Sequence, residues 1–261
     1  MADWLVARLR DRLEVNAPYE GVVAEGYDAW IPVDEPLEEE AVYRRVLDET
    51  DGTTLELGCG TGRPLLRWLA DGYDVEGIDA SVDMLRILYR HATERGLDPT
   101  VHHGDMAPLA LARGYGAIVC PAGSFMLIDD VDRARRALAS YLAHLHPGGT
   151  LGLTMSAPGP DDDVGQLSWR IRRTGTTSDG RTIVVNEATR VDRDEHVTIV
   201  FNRIETYDTE GNLHATTMRR NHLRWWPRDV LGATLAEVGF VDVRSVGDDR
   251  GWVSLARAPQ A

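Results

Sequence analysis

The run Leu55-Glu56-Leu57-Gly58-Cys59-Gly60-Thr61-Gly62 constrains this chain more than any other feature. Its three glycines follow a short apolar stretch, Thr53–Leu57, and precede a helical one, Pro64–Ala70. A strand entering such a turn and a helix leaving it aim backbone N–H groups at one point, and glycine lets a ligand approach the chain closely. The same theme recurs downstream. Val75–Ile78, Thr100–His102, Gly116–Cys120 and Thr150–Met155 read as strands, and Val82–Arg95 and Asp130–Leu145 as helices. Ser81 precedes the first of these helices as an N-cap, apolar residues fall at 82, 84, 85, 88 and 92, and Gly96 stops it. Pro147-Gly148-Gly149 closes the second. Strands alternating with helices specify a parallel sheet of βαβ units.

The flanks differ in character. Residues 1–50 are acidic and aromatic, with Tyr19, Tyr27 and Trp30, and read as helices and loops interrupted by Pro32 and Pro36. Pro158–Gly165 is a turn-rich acidic linker, and the period then changes. Leu167–Arg173, Thr182–Val191, His196–Tyr207 and Leu213–Trp226 are β-rich, separated by Ser178-Asp179-Gly180, Asp192–Asp194 and Glu210-Gly211-Asn212. They predict an antiparallel sheet inserted after the fifth strand. Pro227, at a favoured N1 position, opens a helix to Val238 that Gly239 ends, and Val241–Val246 and Gly251–Ala256 complete the main sheet. The expectation is one α/β domain over 1–261, with a Rossmann-like, mostly parallel seven-stranded sheet. Its parts are a helical segment (1–50), a core (51–157), the antiparallel β insertion (166–226) and a closing helix with two strands (227–261).

Composition narrows the chemistry. The net charge is −14, and all 28 basic residues are arginine, which excludes lysine Schiff-base or lysine-base mechanisms. Such an acidic chain argues against nucleic acid or an anionic membrane as partner and favours a neutral or cationic small molecule. Cys59 and Cys120 are too few for a disulfide framework and lack zinc-site spacing, and Asp161-Asp162-Asp163 reads as a solvated linker, so no metal is expected. Met1–Arg12 has no apolar core of a signal peptide, and no run approaches the ~18 apolar residues of a membrane span, so a cytoplasmic protein is expected.

The turn's spacing separates two cofactor classes. The nicotinamide fingerprint is G-x-G-x-x-G, whereas this turn is G-x-G-x-G preceded by an acid. In that form it resembles motif I of the class I S-adenosylmethionine-dependent methyltransferases. Four further segments extend the resemblance over about residues 53–155. Glu76-Gly77-Ile78-Asp79 places Asp79 21 positions after Gly58, where an acid accepts both ribose hydroxyls in either cofactor class. His103-Gly104-Asp105-Met106 resembles the family's adenine contact. Cys120-Pro121-Ala122-Gly123-Ser124-Phe125-Met126 follows the fourth strand and is expected to line the methyl-transfer site, and His146-Pro147-Gly148-Gly149-Thr150-Leu151 resembles the turn into the fifth.

The resemblance implies S-adenosylmethionine as cofactor and methyl transfer to nitrogen or oxygen of a small metabolite by in-line displacement. It implies cofactor contacts from Glu56, Gly58, Cys59, Gly60, Gly62, Arg63, Pro64, Asp79, Ala80, Met84, Gly104, Asp105, Met106, Pro121, Ala122, Gly123 and Ser124. The C-terminal half resembles members that modify small metabolites, including sugar-nucleotide amines, whose inserted sheet and N-terminal segment cover the pocket. By that likeness Tyr27 and Trp30 join the cofactor contacts, with Tyr27 at the methionine end; the alternative for Tyr27 is a packing aromatic.

A neutral amine acceptor needs no strong base, whereas a hydroxyl wants one. His103, His214 and His222 are the candidates, with Glu205 and Tyr207 behind them. Alternation puts His222, Arg224 and Trp226 on one strand face, so His222, Arg224 and Tyr27 form the expected catalytic set; the alternative is a solvated face. Arginines 170, 172, 173, 219, 220 and 224 either bind a substrate anion or balance an acidic protein. Edges of the inserted sheet offer a homodimer contact. The competing readings are a cofactor-retaining cyclase or scaffold of the same fold and a nicotinamide oxidoreductase.

Overall fold

A computed structural model describes residues 14–162, 169–177 and 179–260. Met1–Arg12, the linker from Asp163 to Gly165, the start of the strand expected over Leu167–Arg173, and Ser178 lie outside the described residues. The chain divides into two compact units, one of residues 1–32 and 158–224 and one of 33–157 and 225–261.

The second unit holds a seven-stranded sheet. Its strands are β1 (Thr54–Leu57), β2 (Val75–Asp79), β3 (Thr100–His103), β4 (Tyr115–Cys120), β5 (Leu145–Ser156), β10 (Val241–Gly247) and β11 (Gly251–Arg257). They lie in the order β3-β2-β1-β4-β5-β11-β10. β1 to β5 pair in parallel, and β11 runs antiparallel to both β5 and β10. β1 and β4 are buried throughout, as apolar strands covered on both faces must be. The strand order reverses between β1 and β4, which makes their carboxyl ends the ligand crevice of such a sheet.

Local chemistry sets the helices. Val82–Arg95 starts where the Ser81 hydroxyl accepts the Met84 N–H and ends on left-handed Gly96. Its buried face carries Met84, Leu85, Ile87, Leu88, His91 and Ala92. Val131–His144 is capped by the Asp130 carboxylate, which accepts the Arg133 N–H. Two expectations are corrected. This helix ends at His144, and Pro147-Gly148-Gly149 sits inside β5, where the pairing jumps from Tyr115–Leu145 to Ala117–Thr150 and so bulges the strand. Pro227 caps the last helix, Arg228–Val238, from outside: its ψ of 141° is extended, so it is the N-cap residue and not N1.

The first unit is built on a four-stranded antiparallel sheet of β6 (Arg170–Thr176), β7 (Thr182–Asp192), β8 (Val197–Tyr207) and β9 (Leu213–Arg224), in sequence order. The short helices Val22–Glu25 and Tyr27–Trp30 pack on it through Val23, Ile183, Val185 and Ile204, with Tyr19, Ala29 and Trp30 alongside. Val15 bridges to Arg220, and Asn16 exchanges two hydrogen bonds with the His222 backbone, so chain from residues 15–16 covers this part of the outer edge of β9. β9 ends at Arg224, so Trp226 does not continue its alternation; it is buried in the other unit. Among the described residues, no helix is long and apolar enough to cross a membrane, and no group of three His, Cys, Asp or Glu is placed to hold a metal ion.

Candidate functional site

The glycine turn is held by β2. The Gly58 and Cys59 amides both donate to the Ile78 carbonyl, at 2.8 and 3.1 Å, and the Gly62 amide closes the turn onto the Cys59 carbonyl. Gly58, Gly60 and Gly62 take φ of 68°, 54° and 90°, a region that costs other residues about 1–2 kcal/mol. Their surroundings assign different duties. A Cβ on Gly62 would lie 2.8 Å from Leu66 and 3.0 Å from Leu88, so this glycine lets two helices close over the turn. A Cβ on Gly58 would meet Ser124 at 3.0 Å, and one on Gly60 would meet Met84 at 3.2 Å. The turn thus faces two of the residues expected beside the cofactor. The Cys59 thiol packs against Gly77 and is buried, so this side chain is a packing group. His91, buried on its helix, bonds the Thr61 carbonyl through Nδ1 and braces the turn from behind.

Asp79, the last residue of β2, holds the turn in register. Its Oδ2 accepts the Gly60 N–H at 2.9 Å and its Oδ1 the Ser81 N–H at 2.8 Å. Burial raises its pKa against these two bonds, which lower it. A carboxylate has about four acceptor sites, so two remain for a ligand's hydroxyls. Glu56 lies on β1, 2% exposed, and its Oε2 is buried without a hydrogen-bond partner. Burial, and then the charge of Asp79, hold its pKa well above the usual carboxylate range, and Arg63 pulls against them. The Arg63 guanidinium itself makes no hydrogen bond or ion pair among the described residues. It lines a cavity of about 200 Å³ with Val33, Asp34, Leu66, Arg67, Ala70 and Arg95.

β3 and β4 complete the crevice. The Gly104 amide donates to the Asp79 carbonyl. The Asp105 carboxylate accepts the Ala107 N–H at 2.8 Å and pairs with Arg133 at 2.6 Å, which fixes its orientation and leaves acceptor capacity. His103 is exposed and bonds the Ala80 carbonyl through Nε2, and His102 pairs with Glu76 at 2.9 Å. Glu76 also takes Arg113 and the Tyr115 hydroxyl, near the start of β2 and away from the crevice. After β4, Pro121–Leu127 forms 3₁₀ turns broken at Ala122 (φ 54°) and Gly123 (φ 74°).

Three side chains that sequence reasoning missed meet at this break. Glu39 Oε1 accepts the Ala122 N–H at 2.9 Å and the Thr154 hydroxyl at 2.8 Å. The Tyr43 hydroxyl lies 2.7 Å from Thr154 Oγ1 and 3.1 Å from the Cys120 carbonyl; with the Thr154 hydrogen given to Glu39, its own single hydrogen is shared between these two acceptors. The available signal was a threonine inside the apolar run Leu151–Met155; Glu39 is masked by its neighbours Glu38 and Glu40.

The remaining expected residues lie in the first unit. Tyr27 stacks edge-on with Tyr19 at 5.4 Å and with Trp30 at 5.9 Å. His222 is half-buried on the face of β9 opposite buried Arg219 and Asn221, and Arg224 donates to the Glu195 carbonyl. Arg219 lies 3.8 Å over the Tyr19 ring and binds the Ala17 and Pro18 carbonyls, and Arg170 and Arg172 pair with Glu187, so these three arginines already have structural partners.

Residues 54–149 match a family model described as a methyltransferase domain. Over these residues the chain is similar to a methyltransferase domain. Among curated proteins it is 35% identical over 97 residues to a dTDP-3-amino-3,4,6-trideoxy-alpha-D-glucopyranose N,N-dimethyltransferase of Streptomyces venezuelae, covering 37% of this chain and 39% of that one. It is 38% identical over 98 residues to a dTDP-3-amino-3,6-dideoxy-alpha-D-glucopyranose N,N-dimethyltransferase of Streptomyces fradiae, covering 37% and 36%. The match thus spans under two fifths of either relative's length. The fold likeness is wider: a sugar N-methyltransferase from Streptoalloteichus superposes with a TM-score of 0.73 at 23% identity, over 94% of this chain and 95% of that one. The expected fold, a mostly parallel seven-stranded sheet with an antiparallel sheet inserted after its fifth strand, is the one observed, and it is similar to that of this sugar N-methyltransferase structure.

Proposed function

We propose that this protein transfers the methyl group of S-adenosylmethionine to the nitrogen of a small-molecule amine, with a nucleotide-linked amino sugar as the favoured acceptor class. The observation that carries the reading is Asp79 fixed between the Gly60 and Ser81 amides at the end of β2, beside a buried Glu56 oxygen that lacks a partner. An orphaned buried acceptor and a glycine cradle fit a polar, cationic ligand. When bound, the cofactor supplies a sulfonium methyl group, a good electrophile with a neutral leaving group. Asp79 would hold its ribose hydroxyls, Asp105 and Met106 its adenine, and Gly58, Gly60 and Arg63 its amino-acid end. Ser124, packed against Gly58, keeps Pro121–Ser124 beside the turn. The matched relatives act on amino sugars, and an amine in its neutral form needs alignment and exclusion of water more than a base.

Tyr27, Trp30, His222 and Arg224 belong to the same reading as contributors to cofactor or acceptor recognition. His222→Ala is expected to slow turnover with cofactor affinity unchanged, and unchanged turnover would remove it. The test of the whole reading is mass spectrometry of dTDP-3-amino-3,6-dideoxyglucose incubated with the protein and S-adenosylmethionine. Gain of one or two methyl groups supports the reading. No methylation of this compound or of a panel of simpler amines would overturn it.

A further inference from the structure

We propose that Glu39 is the acceptor-facing carboxylate of this domain, holding the amine and stabilising the positive charge that develops on its nitrogen. The inference rests on the methyltransferase reading above and adds a residue that no motif of the core contains.

Three observations converge on it. The first is position: Glu39 is bound to Ala122, just past the end of β4, and to Thr154, near the end of β5. The end of β4 borders the point where the strand order reverses and β5 is its neighbour, and Ser124, just beyond Ala122, faces the cradle at Gly58. The second is pre-organisation. Oε1 is fixed by two donors, and Tyr43, fully buried, holds Thr154 in turn. Oε2 takes no hydrogen bond from the described residues, and it is not among the buried polar atoms, so it is open to an incoming group. The third is strain. Ala122 adopts a left-handed φ of 54° that alanine avoids, and its N–H is the one given to Glu39. Strained backbone persists where surrounding contacts over-determine it, and such sites cluster around function.

The chemistry follows from charge. A neutral amine has no charge when it is bound and a full positive charge when its fourth bond is formed. A fixed carboxylate that accepts one of its N–H bonds leaves the lone pair free for attack and is attracted more strongly as that charge grows. Such differential stabilisation lowers the barrier, because the carboxylate needs no reorganisation at the moment of transfer. No proton transfer to Glu39 is needed. For a hydroxyl acceptor the same carboxylate would have to take the proton as a base, because the product is a neutral ether.

The experiment is Glu39→Gln, which retains an acceptor oxygen for Ala122 and Thr154 and replaces the charged Oε2 by a neutral NH2 that cannot accept the amine's N–H. With dTDP-3-amino-3,6-dideoxyglucose as probe, kcat is expected to fall about 10- to 100-fold, with the calorimetric Kd for S-adenosylmethionine unchanged. A merely structural role would move both together. An unchanged kcat, or a loss of cofactor affinity equal to the loss of kcat, overturns the proposal while the methyltransferase reading stands. Absence of methylation by the wild type overturns both. Should Glu39→Gln not fold, Thr154→Val decides. It frees one side of the carboxylate, so a several-fold fall in kcat at constant cofactor Kd supports the proposal, and an unchanged kcat overturns it.

Discussion

Replacing Asp79 by alanine removes the carboxylate that holds the glycine turn and, in the proposed function, the cofactor's ribose. In the native protein one carboxylate spans 2.8 and 2.9 Å contacts to the Ser81 and Gly60 amides, and two of its acceptor sites remain for the hydroxyls of a ligand. Hydrogen bonds to a charged group are worth about 1.5–3 kcal/mol, and alanine offers none of them. Affinity for S-adenosylmethionine is therefore expected to drop by about 1.5–3 kcal/mol, roughly 10- to 150-fold in Kd. Isothermal titration calorimetry reads this directly, and a melting curve of the same variant separates lost binding from lost folding. The pH dependence gives a second check. Burial raises the Asp79 pKa, so the charged form that accepts two hydroxyls is lost at a higher pH than for a free aspartate, whose pKa is about 3.9. Wild-type affinity should weaken as pH falls through that raised value, and Asp79→Asn should abolish this limb. Unchanged affinity in Asp79→Ala would refute the assignment of Asp79 to the cofactor.

Three further outcomes follow from the same geometry. Glu56 is buried with its pKa well above that of the unfolded chain, so folding favours its neutral form and stability falls as pH rises from about 4.3 toward the folded value. Glu56→Gln removes that dependence, and its melting temperature relative to wild type should climb with pH over that interval; a pH-independent difference would contradict the burial argument. Gly62→Ala forces a Cβ to within 2.8 Å of Leu66 at a φ of 90°, and should destabilise the domain by about 2–4 kcal/mol in denaturant unfolding. A loss below about 0.5 kcal/mol would show that the two helices can part without strain. Ser81→Ala deletes the cap on Met84 N–H and should lose about 1 kcal/mol by the same measurement; no loss would mean that the cap is replaced by solvent.

The parts of the fold set by short-range chemistry were legible in the sequence. Ser81 and Gly96 mark a helix that runs from Val82 to Arg95 as expected, and the glycine turn, Asp79 and Asp105 all fall at strand ends. The misreadings occurred where pairing partners overrule local signals. Pro147-Gly148-Gly149 looks like a helix terminator, but register with β4 makes it a bulge within β5. Trp226 continues an apparent alternation, but the strand stops at Arg224, before the chain enters the proline-capped helix. Glu39 was invisible for a different reason. Its importance comes from Ala122 and Thr154, 83 and 115 positions away, and no local pattern encodes a contact between three elements. Arg219 shows the converse, since a cation that looked available for a substrate is buried on Tyr19 and backbone carbonyls.

The most direct measurement is calorimetric titration of the protein with S-adenosylmethionine and, in parallel, with NADH. The account predicts micromolar binding of the first, worth about 8 kcal/mol, and none of the second. Binding of NADH, or no binding of S-adenosylmethionine, would contradict it.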